Sequence, residues 1–213
     1  MHQKREGKWH FLKWAIPVAL VLIAVWGLRI TFGRPTFDAD KVAQAETRMW
    51  QSYYSGDKIQ LGLQLIALLR NQHSLSLWEA KEIGELLASS TMKFRSASGD
   101  YERVALPDLA KAYVLIKQAT GAPFDPDKAA RAELAWWVAR RTPGQDSGEQ
   151  VGEKIAELYA VLYGRACPAF YNAGLLRAQA AKMRDSGSRG EGADWIQIEV
   201  LLRKSYHELK KGI

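Results

Sequence analysis

The sequence predicts an all-α protein in which an N-terminal transmembrane helix is followed by a compact bundle of about eight short helices. Three observations predict this class. Residues 11–28 form an apolar run with a single charge, Lys13. The rest of the chain alternates helix-starting and helix-ending residues, with apolar side chains at helical spacing between them. No region sustains an apolar–polar alternation of period two, so we expect no β-sheet.

The N-terminal run predicts a membrane anchor. As a helix, residues 11–28 would rise about 27 Å, close to the hydrocarbon thickness of a bilayer. A basic leader with Lys4, Arg5 and Lys8 precedes the run, as in a signal sequence. Bulky residues near its end leave no small-residue cleavage site, so we expect an uncleaved signal anchor. The predicted domains are a basic cytoplasmic leader (1–10), the transmembrane anchor (11–32) and an all-helical soluble domain (33–213).

Charge asymmetry predicts the orientation. Four Lys/Arg and the free amine flank the run on its N-terminal side, against Arg29, Arg34 and Lys41 on the other. The positive-inside bias therefore keeps the N-terminus in the cytoplasm and sends the domain across the membrane. The prediction is a single-pass protein whose domain lies on the extracytoplasmic side of the membrane. Cys167 is the only cysteine, so no internal disulfide forms and the redox compartment stays open.

The same charges indicate which partners to expect. The net charge is +7, but residues 1–34 hold six Lys/Arg and one Glu and so contribute +5 of it. The basicity therefore lies beside the anchor, where anionic lipid is the expected counter-charge. We predict the lipid bilayer as a partner through the N-terminal helix and no nucleic-acid partner. A protein partner in the envelope is left open.

Capping residues and helix-ending residues define each predicted helix of the domain in turn. The expected starts are, in chain order, Asp38 or Asp40, the residues after Gly56-Asp57, Ser76 with Glu79, Pro107, Asp125-Pro126, Ser147 with Gln150, Pro168, and Asp194 with Gln197. The expected ends are about Tyr54, about Arg70, about Arg95, Gly121, Pro143-Gly144, Gly164 and, for the last helix, Gly212. The starts at Ser76 and Ser147 are predicted capping boxes. In a capping box the serine side chain accepts a hydrogen bond from a backbone amide of the first turn, and the side chain three residues later accepts one from the backbone amide of the serine.

Several charged residues fall on helix faces that are otherwise apolar. In the first predicted helix, Glu46 lies four residues after Val42 and four before Trp50, within the apolar face. In the fifth, Glu133 lies about 170° from the polar side of its helix, and Arg140 shares its direction. In the seventh, Arg177 and Arg184 project away from the polar face, seven residues apart.

An unpaired ion in a protein core is very costly, so these charges should meet. We predict that Glu46 and Glu133 pair with Arg140, Arg177 or Arg184 in a buried network. Aromatic rings on which guanidinium groups can stack are expected to line it, namely Trp50, Tyr53, Trp136, Trp137 and Tyr171. The network either fixes the register of the helices or forms a polar pocket for an anionic or sugar-like ligand, and the sequence leaves both interpretations open.

No cofactor and no metal site is predicted. Only His73 and His207 lie in the domain, and neither has the spacing of a di-iron or zinc-protease motif. Paired acids can cleave glycosidic bonds, for which Glu46 and Glu133 are the candidates. Their expected arginine partners argue against that role, because a nearby cation keeps a carboxylate charged. The sequence identifies no catalytic residue and leaves open whether the protein is an enzyme.

Four segments carry a resemblance to a known kind of protein: AETRMW at 45–50 with Tyr53-Tyr54, RAELAWW at 131–137 with Arg140-Arg141, Arg177-Ala178 with Arg184-Asp185, and ADW at 193–195. They resemble a group of bacterial single-pass membrane-anchored all-helical proteins. The resemblance extends over most of the domain. It implies a bacterial envelope setting, so the predicted location is the bacterial inner membrane, single-pass, with a periplasmic or extracellular domain. The resemblance implies no activity.

Two functions are compatible with the sequence. The first is a membrane-anchored envelope protein whose domain is a non-catalytic binding or scaffolding module. The alternative is an envelope enzyme or small-ligand-binding domain that uses Glu46 and Glu133 in a polar cleft. An exposed apolar patch without a deep polar cavity would favour the first function. A concave pocket reached by one of the glutamates would favour the second.

Overall fold

The computed structural model describes residues 33–185 and 192–213, and within those ranges the regular structure is entirely α-helical. Eight helices occupy these ranges: α1 (Ala39–Ser55), α2 (Lys58–His73), α3 (Leu77–Ser96), α4 (Tyr101–Thr120), α5 (Pro126–Ala139), α6 (Gly148–Tyr163), α7 (Pro168–Asp185) and α8 (Trp195–Lys211). The prediction of an all-α domain is confirmed. The predicted leader and anchor, residues 1–32, lie outside the described residues. In the part of the chain that is described, none of the helices combines the length and apolarity needed to cross a membrane.

Side-chain caps determine where several helices begin. The first of the two candidates, Asp38, caps α1 by accepting from two backbone amides of its first turn at 3.1 and 3.2 Å. The capping box of α3 forms as predicted, with Glu79 Oε2 accepting from the Ser76 amide at 2.8 Å. The box of α6 forms only in part. Ser147 caps the helix, but the Gln150 side chain accepts from the Ser147 hydroxyl at 3.1 Å instead of reaching the backbone.

Two predicted boundaries are wrong. The helix α4 begins at Tyr101 and contains Pro107, whose ring removes one backbone hydrogen bond. Packing explains the earlier start: Ala105, in the second turn, is fully buried, and its carbonyl accepts from the buried Ser90 hydroxyl at 2.8 Å. The helix α5 ends at Ala139, earlier than the Pro-Gly pair at which the sequence predicts its end. Tertiary contacts therefore outweigh the local sequence signals at the start of α4.

The helices form a closed ring. Each helix packs against its neighbours in the sequence, and α8 completes the ring by packing against α1. A cavity lies at the centre, lined by side chains from α1 to α7. The compact bundle predicted from the sequence therefore has a hollow interior.

The side of the ring built by α6, α7 and α8 is densely filled. Ile155, Phe170 and Leu202 are almost completely buried there. Ser205, the small polar residue on the apolar stripe of α8, is also buried, and its hydroxyl donates to the Ala173 carbonyl at 2.7 Å. This side of the ring holds α7 in place, and α7 supplies two arginines to the central cavity.

Candidate functional site

The central cavity has a volume of about 390 Å³. This lies within the range of about 300–1,000 Å³ that is typical of small-molecule sites. The five charged residues of the predicted network all line it, and we call them the charged face: Glu46, Glu133, Arg140, Arg177 and Arg184. Helix α2 contributes apolar side chains to the same cavity. We call these leucines the apolar wall: Leu61, Leu65, Leu68 and Leu69.

Glu46 is paired as the sequence predicts, with one of the candidate arginines. Its side chain is 1% exposed, and its Oε1 accepts from Arg177 Nη2 at 2.8 Å and from Arg177 Nε at 3.2 Å. The Tyr206 hydroxyl donates to Oε2 at 2.5 Å. Burial disfavours the charge on Arg177, but Glu46 outweighs burial, and the pKa of Arg177 lies well above its ordinary value. Arg177 is therefore held in its charged form, and both oxygens of Glu46 accept hydrogen bonds.

Glu133 differs from the prediction. Its carboxylate accepts from two neutral donors, the Tyr113 hydroxyl at 3.0 Å and Trp137 Nε1 at 2.9 Å. No Lys or Arg nitrogen of the described residues comes within ion-pair distance of it, so the predicted arginine partner is wrong. The candidate arginines pair with other carboxylates, because Arg177 binds Glu46 and both Arg140 and Arg184 lie against Asp185. Burial and the adjacent Glu133 carboxylate raise the pKa of Tyr113 well above its ordinary value, which keeps its hydroxyl a donor.

Arg140 and Arg184 share one carboxylate, Asp185, which the sequence analysis did not select. Arg184 binds it through two nitrogens at 2.8 and 3.1 Å, and the Tyr54 hydroxyl donates to it at 3.1 Å. Arg140 Nε lies 3.2 Å from Asp185 Oδ2 but makes no hydrogen bond with it. Burial, reinforced by the nearby positive charge of Arg184, lowers the pKa of Arg140 to about 10. The cluster of two guanidinium groups and one carboxylate thus has an excess of positive charge.

Aromatic rings separate these charges. The guanidinium carbons of Arg177 and Arg140 lie 5.3 and 5.7 Å from the ring centre of Trp136, and that of Arg184 lies 4.2 Å from Trp50. Four of the five aromatic residues predicted to line the site do line the cavity: Trp50, Tyr53, Trp136 and Trp137.

Tyr171 is not among them and is 41% exposed, so that prediction is wrong. The preceding residue, Phe170, takes the inward position on α7 and is 1% exposed. Successive residues on a helix point about 100° apart, and here that rotation turns the Tyr171 ring toward solvent.

Besides Arg140 Nε, two buried polar groups of the cavity lining have no hydrogen-bond partner among the described residues. They are the indole Nε1 of Trp136, whose residue is 7% exposed, and the hydroxyl of Tyr159, whose residue is 1% exposed. Tyr159 was missed in the sequence, although it follows Ile155 by four residues on the apolar face of α6, where a hydroxyl is unusual. A buried donor without an acceptor costs about 1–3 kcal/mol, which a bound acceptor would recover.

The cavity opens between exposed residues of α1 and α3. Tyr53 of α1 and Met92 of α3 are 38% and 69% exposed, and Arg95 of α3 stacks over Tyr53 at 5.2 Å. The imidazole of His73, at the end of α2, also lines the cavity, and burial lowers its pKa to about 4, so it is neutral at pH 7. No group of three or more His, Cys, Asp and Glu side chains within residues 33–185 and 192–213 is placed to hold a metal ion.

No protein-family model matches the chain, and no curated protein or solved structure matches it either. Its function has to be inferred from the geometry of the cavity.

Proposed function

We propose that this chain is a single-pass membrane protein of the bacterial envelope whose helical ring binds a small amphiphilic molecule in its central cavity. The observation that carries the proposal is the cavity of about 390 Å³, whose lining combines the charged face with the apolar wall. A mostly apolar concave site with a few converging polar groups is the usual form of a small-molecule site. Of the two functions compatible with the sequence, the geometry favours ligand binding over a scaffolding module.

The apolar wall supplies the affinity in this proposal. Leu61 and Leu65 of α2 are only half-buried, so a bound chain or ring would remove their remaining apolar surface from water. Such burial contributes about 25 cal/mol per Å². The charged face supplies orientation, because its hydrogen bonds to the polar end of the ligand are directional.

The hydrogen bonds of the two glutamates favour binding over catalysis. Glu46 is held by Arg177 and Tyr206, and Glu133 accepts from Tyr113 and Trp137. A general acid or base has to exchange a proton with the substrate, which requires an available oxygen within hydrogen-bond reach. Both carboxylates are instead used to hold neighbouring side chains, so we assign them a positioning role.

The membrane part of the proposal rests on the apolar run at 11–28 and the basic leader before it. The resemblance to bacterial membrane-anchored helical proteins agrees with it. In this arrangement the leader is cytoplasmic and the domain lies outside the inner membrane. Protease added to spheroplasts should digest the domain and leave a membrane-bound fragment. A domain that is digested only after the membrane is lysed would contradict the orientation.

The binding proposal is tested with a neutral apolar fluorophore, N-phenyl-1-naphthylamine, added to the full chain in lipid nanodiscs. Fluorescence should rise saturably above that of empty nanodiscs. Leu65→Trp, which places an indole at the apolar wall, should abolish the saturable component. Leu63→Trp is the matched control, since Leu63 is on the same helix, is 53% exposed and does not line the cavity. Saturable binding that survives Leu65→Trp in a protein of unchanged helical circular dichroism would contradict the proposal.

A further inference from the structure

We infer that the molecule held in the cavity carries an anionic group, and that this group binds at Arg140 and Arg184 beside Trp136, with the apolar part of the molecule against α2. This inference rests on the proposed function and specifies its ligand. The chemical class is an amphiphile with one carboxylate or phosphate group. Three independent features of the lining support it: the balance of charge, the state of Arg140 and the unpartnered indole of Trp136.

The lining of the cavity carries an excess of positive charge. Its ionisable side chains include five arginines and two glutamates, and the glutamates are already occupied by protein donors. Asp185 adds one negative charge next to Arg140 and Arg184. Because the surroundings are largely apolar and aromatic, these charges are weakly screened, so an anion is attracted and a cation repelled.

The excess is concentrated at Arg140 and Arg184. Arg177 is matched one-to-one by Glu46, whereas these two guanidinium groups share the single carboxylate of Asp185. Arg184 uses two of its nitrogens on Asp185 and is 6% exposed. Arg140 Nε is buried and forms no hydrogen bond. A second carboxylate or a phosphate would complete the pairing, since a guanidinium group presents a planar set of donors that fits either anion.

A neutral donor beside Arg140 lacks an acceptor too. The Nε1–H of Trp136 can only donate, and the Arg140 guanidinium stacks at 5.7 Å from the centre of its ring. The Tyr159 hydroxyl also lines the cavity, but it lies near Arg177 and Glu46 and forms no part of the assigned position. An oxyanion is the ligand chemistry that brings several acceptor lone pairs to one place. A ligand with an ammonium group would bring only further donors.

The polar end of the ligand therefore fits at Arg140 and Arg184, and its apolar end fits against the apolar wall. The leucines of the apolar wall belong to α2, which contributes no charged side chain to the cavity lining. A chain or ring bound there would extend toward the opening near Met92. The ligand would thus enter with its anionic end leading.

The test compares ligands that share one chain and differ in their polar end: decanoate, decyl phosphate, decanol and decyltrimethylammonium. Each displaces N-phenyl-1-naphthylamine from the full chain in nanodiscs of zwitterionic lipid. The anions should bind at least about tenfold more tightly than decanol, as expected for one charge-assisted hydrogen bond. The ammonium compound should bind most weakly. Whichever anion binds more tightly, decanoate or decyl phosphate, identifies whether the natural ligand is a carboxylate or a phosphate amphiphile.

Variants locate the anionic group. Arg140→Gln should reduce the preference for decanoate over decanol to less than about threefold, because it removes the charge that distinguishes the two ligands. Arg131→Gln is the matched control, because Arg131 is an exposed arginine of α5 that pairs with Asp127, and it should keep the full preference. Trp136→Phe keeps an aromatic ring but removes the N–H together with part of the indole, and should lower decanoate affinity by a larger factor than decanol affinity. It serves as the second variant if Arg140→Gln does not fold.

The outcomes separate this inference from the proposed function. If the fluorophore shows no saturable binding, the proposed function fails. If the fluorophore binds but decanol competes as well as decanoate, ligand binding stands and the anionic ligand is refuted. A decanoate preference that persists in both Arg140→Gln and Trp136→Phe would refute the assigned position.

Discussion

Two sides of the ring are packed in opposite ways. Between α6 and α7 the backbones touch: a Cβ built on Gly174 would lie 2.2 Å from the Gly152 carbonyl oxygen, and one on Gly152 would lie 2.9 Å from Leu175 Cα. Between α2 and α3 there is room: a Cβ on Gly84 would meet Leu69 and Leu65 at 3.5 and 3.6 Å, which is ordinary contact. Helix α2 fully buries only Leu68 and Leu69 among its sixteen residues.

The difference assigns separate roles to the two sides. The tightly packed side holds α7 and therefore fixes Arg177 and Arg184, the cations of the charged face that α7 supplies. The loosely packed side supplies the apolar wall, which can adjust to ligands of different shape because few of its side chains are locked in place. Fixed polar groups reduce the cost of ordering the site on binding. The tightly packed side is thus the rigid part that orients the ligand. The loosely packed side is the adaptable part that contributes affinity through apolar contact.

The largest expected effect comes from the ion pair that joins α1 to the tightly packed side. Glu46→Leu should lower the free energy of unfolding by about 3–5 kcal/mol, because Arg177 would keep a buried charge without a partner. Urea denaturation followed by circular dichroism measures the change. The double variant Glu46→Leu/Arg177→Met should recover most of the loss, since replacing both members of a buried pair is far less costly than removing one. A loss below about 1 kcal/mol in the single variant would mean that Arg177 reaches water and that this side is less rigid than its packing indicates.

Local sequence features predict most helices of this domain well. They do not predict that the helices close into a ring. The caps at Asp38 and Ser76 act within one turn, so their effect can be read from neighbouring residues. The contact of α8 with α1 joins residues such as Tyr206 and Glu46 that lie 160 positions apart. Nothing in either segment alone indicates the other. The start of α4 at Tyr101 was missed for the same reason, because distant packing decided it.

The site shows the same division between local and distant information. The sequence identifies Glu46 and Arg177 as inward-facing because helical periodicity is a property of one segment. Which charge meets which depends on distances between helices, and there the prediction failed for Glu133, which binds Tyr113 and Trp137. Asp185 was overlooked because it is the last residue of its helix, where periodicity no longer indicates a direction.

The next largest effect is expected at the glycine contact of α6 and α7. Gly174→Ala should lower the free energy of unfolding by about 3 kcal/mol, because the added methyl group meets the backbone oxygen of Gly152 and the helices have to separate. Gly62→Ala in α2 is the control, since a Cβ there meets nothing within 4 Å. The same urea experiment compares the two variants. A Gly174→Ala protein as stable as the wild type would show that the two helices can shift and would remove the structural basis for a rigid side.

The smallest effect is expected on the loosely packed side and has the opposite sign. Gly84→Ala should raise the free energy of unfolding by about 0.5–1 kcal/mol, because alanine loses less conformational entropy than glycine in a helix and its methyl group fits beside Leu65 and Leu69. Because Leu65 belongs to the apolar wall, the variant should also stiffen that wall and slow hydrogen exchange of the α2 amides. Destabilisation by Gly84→Ala would mean that α2 and α3 are already in close contact, and the contrast between the two sides of the ring would no longer hold.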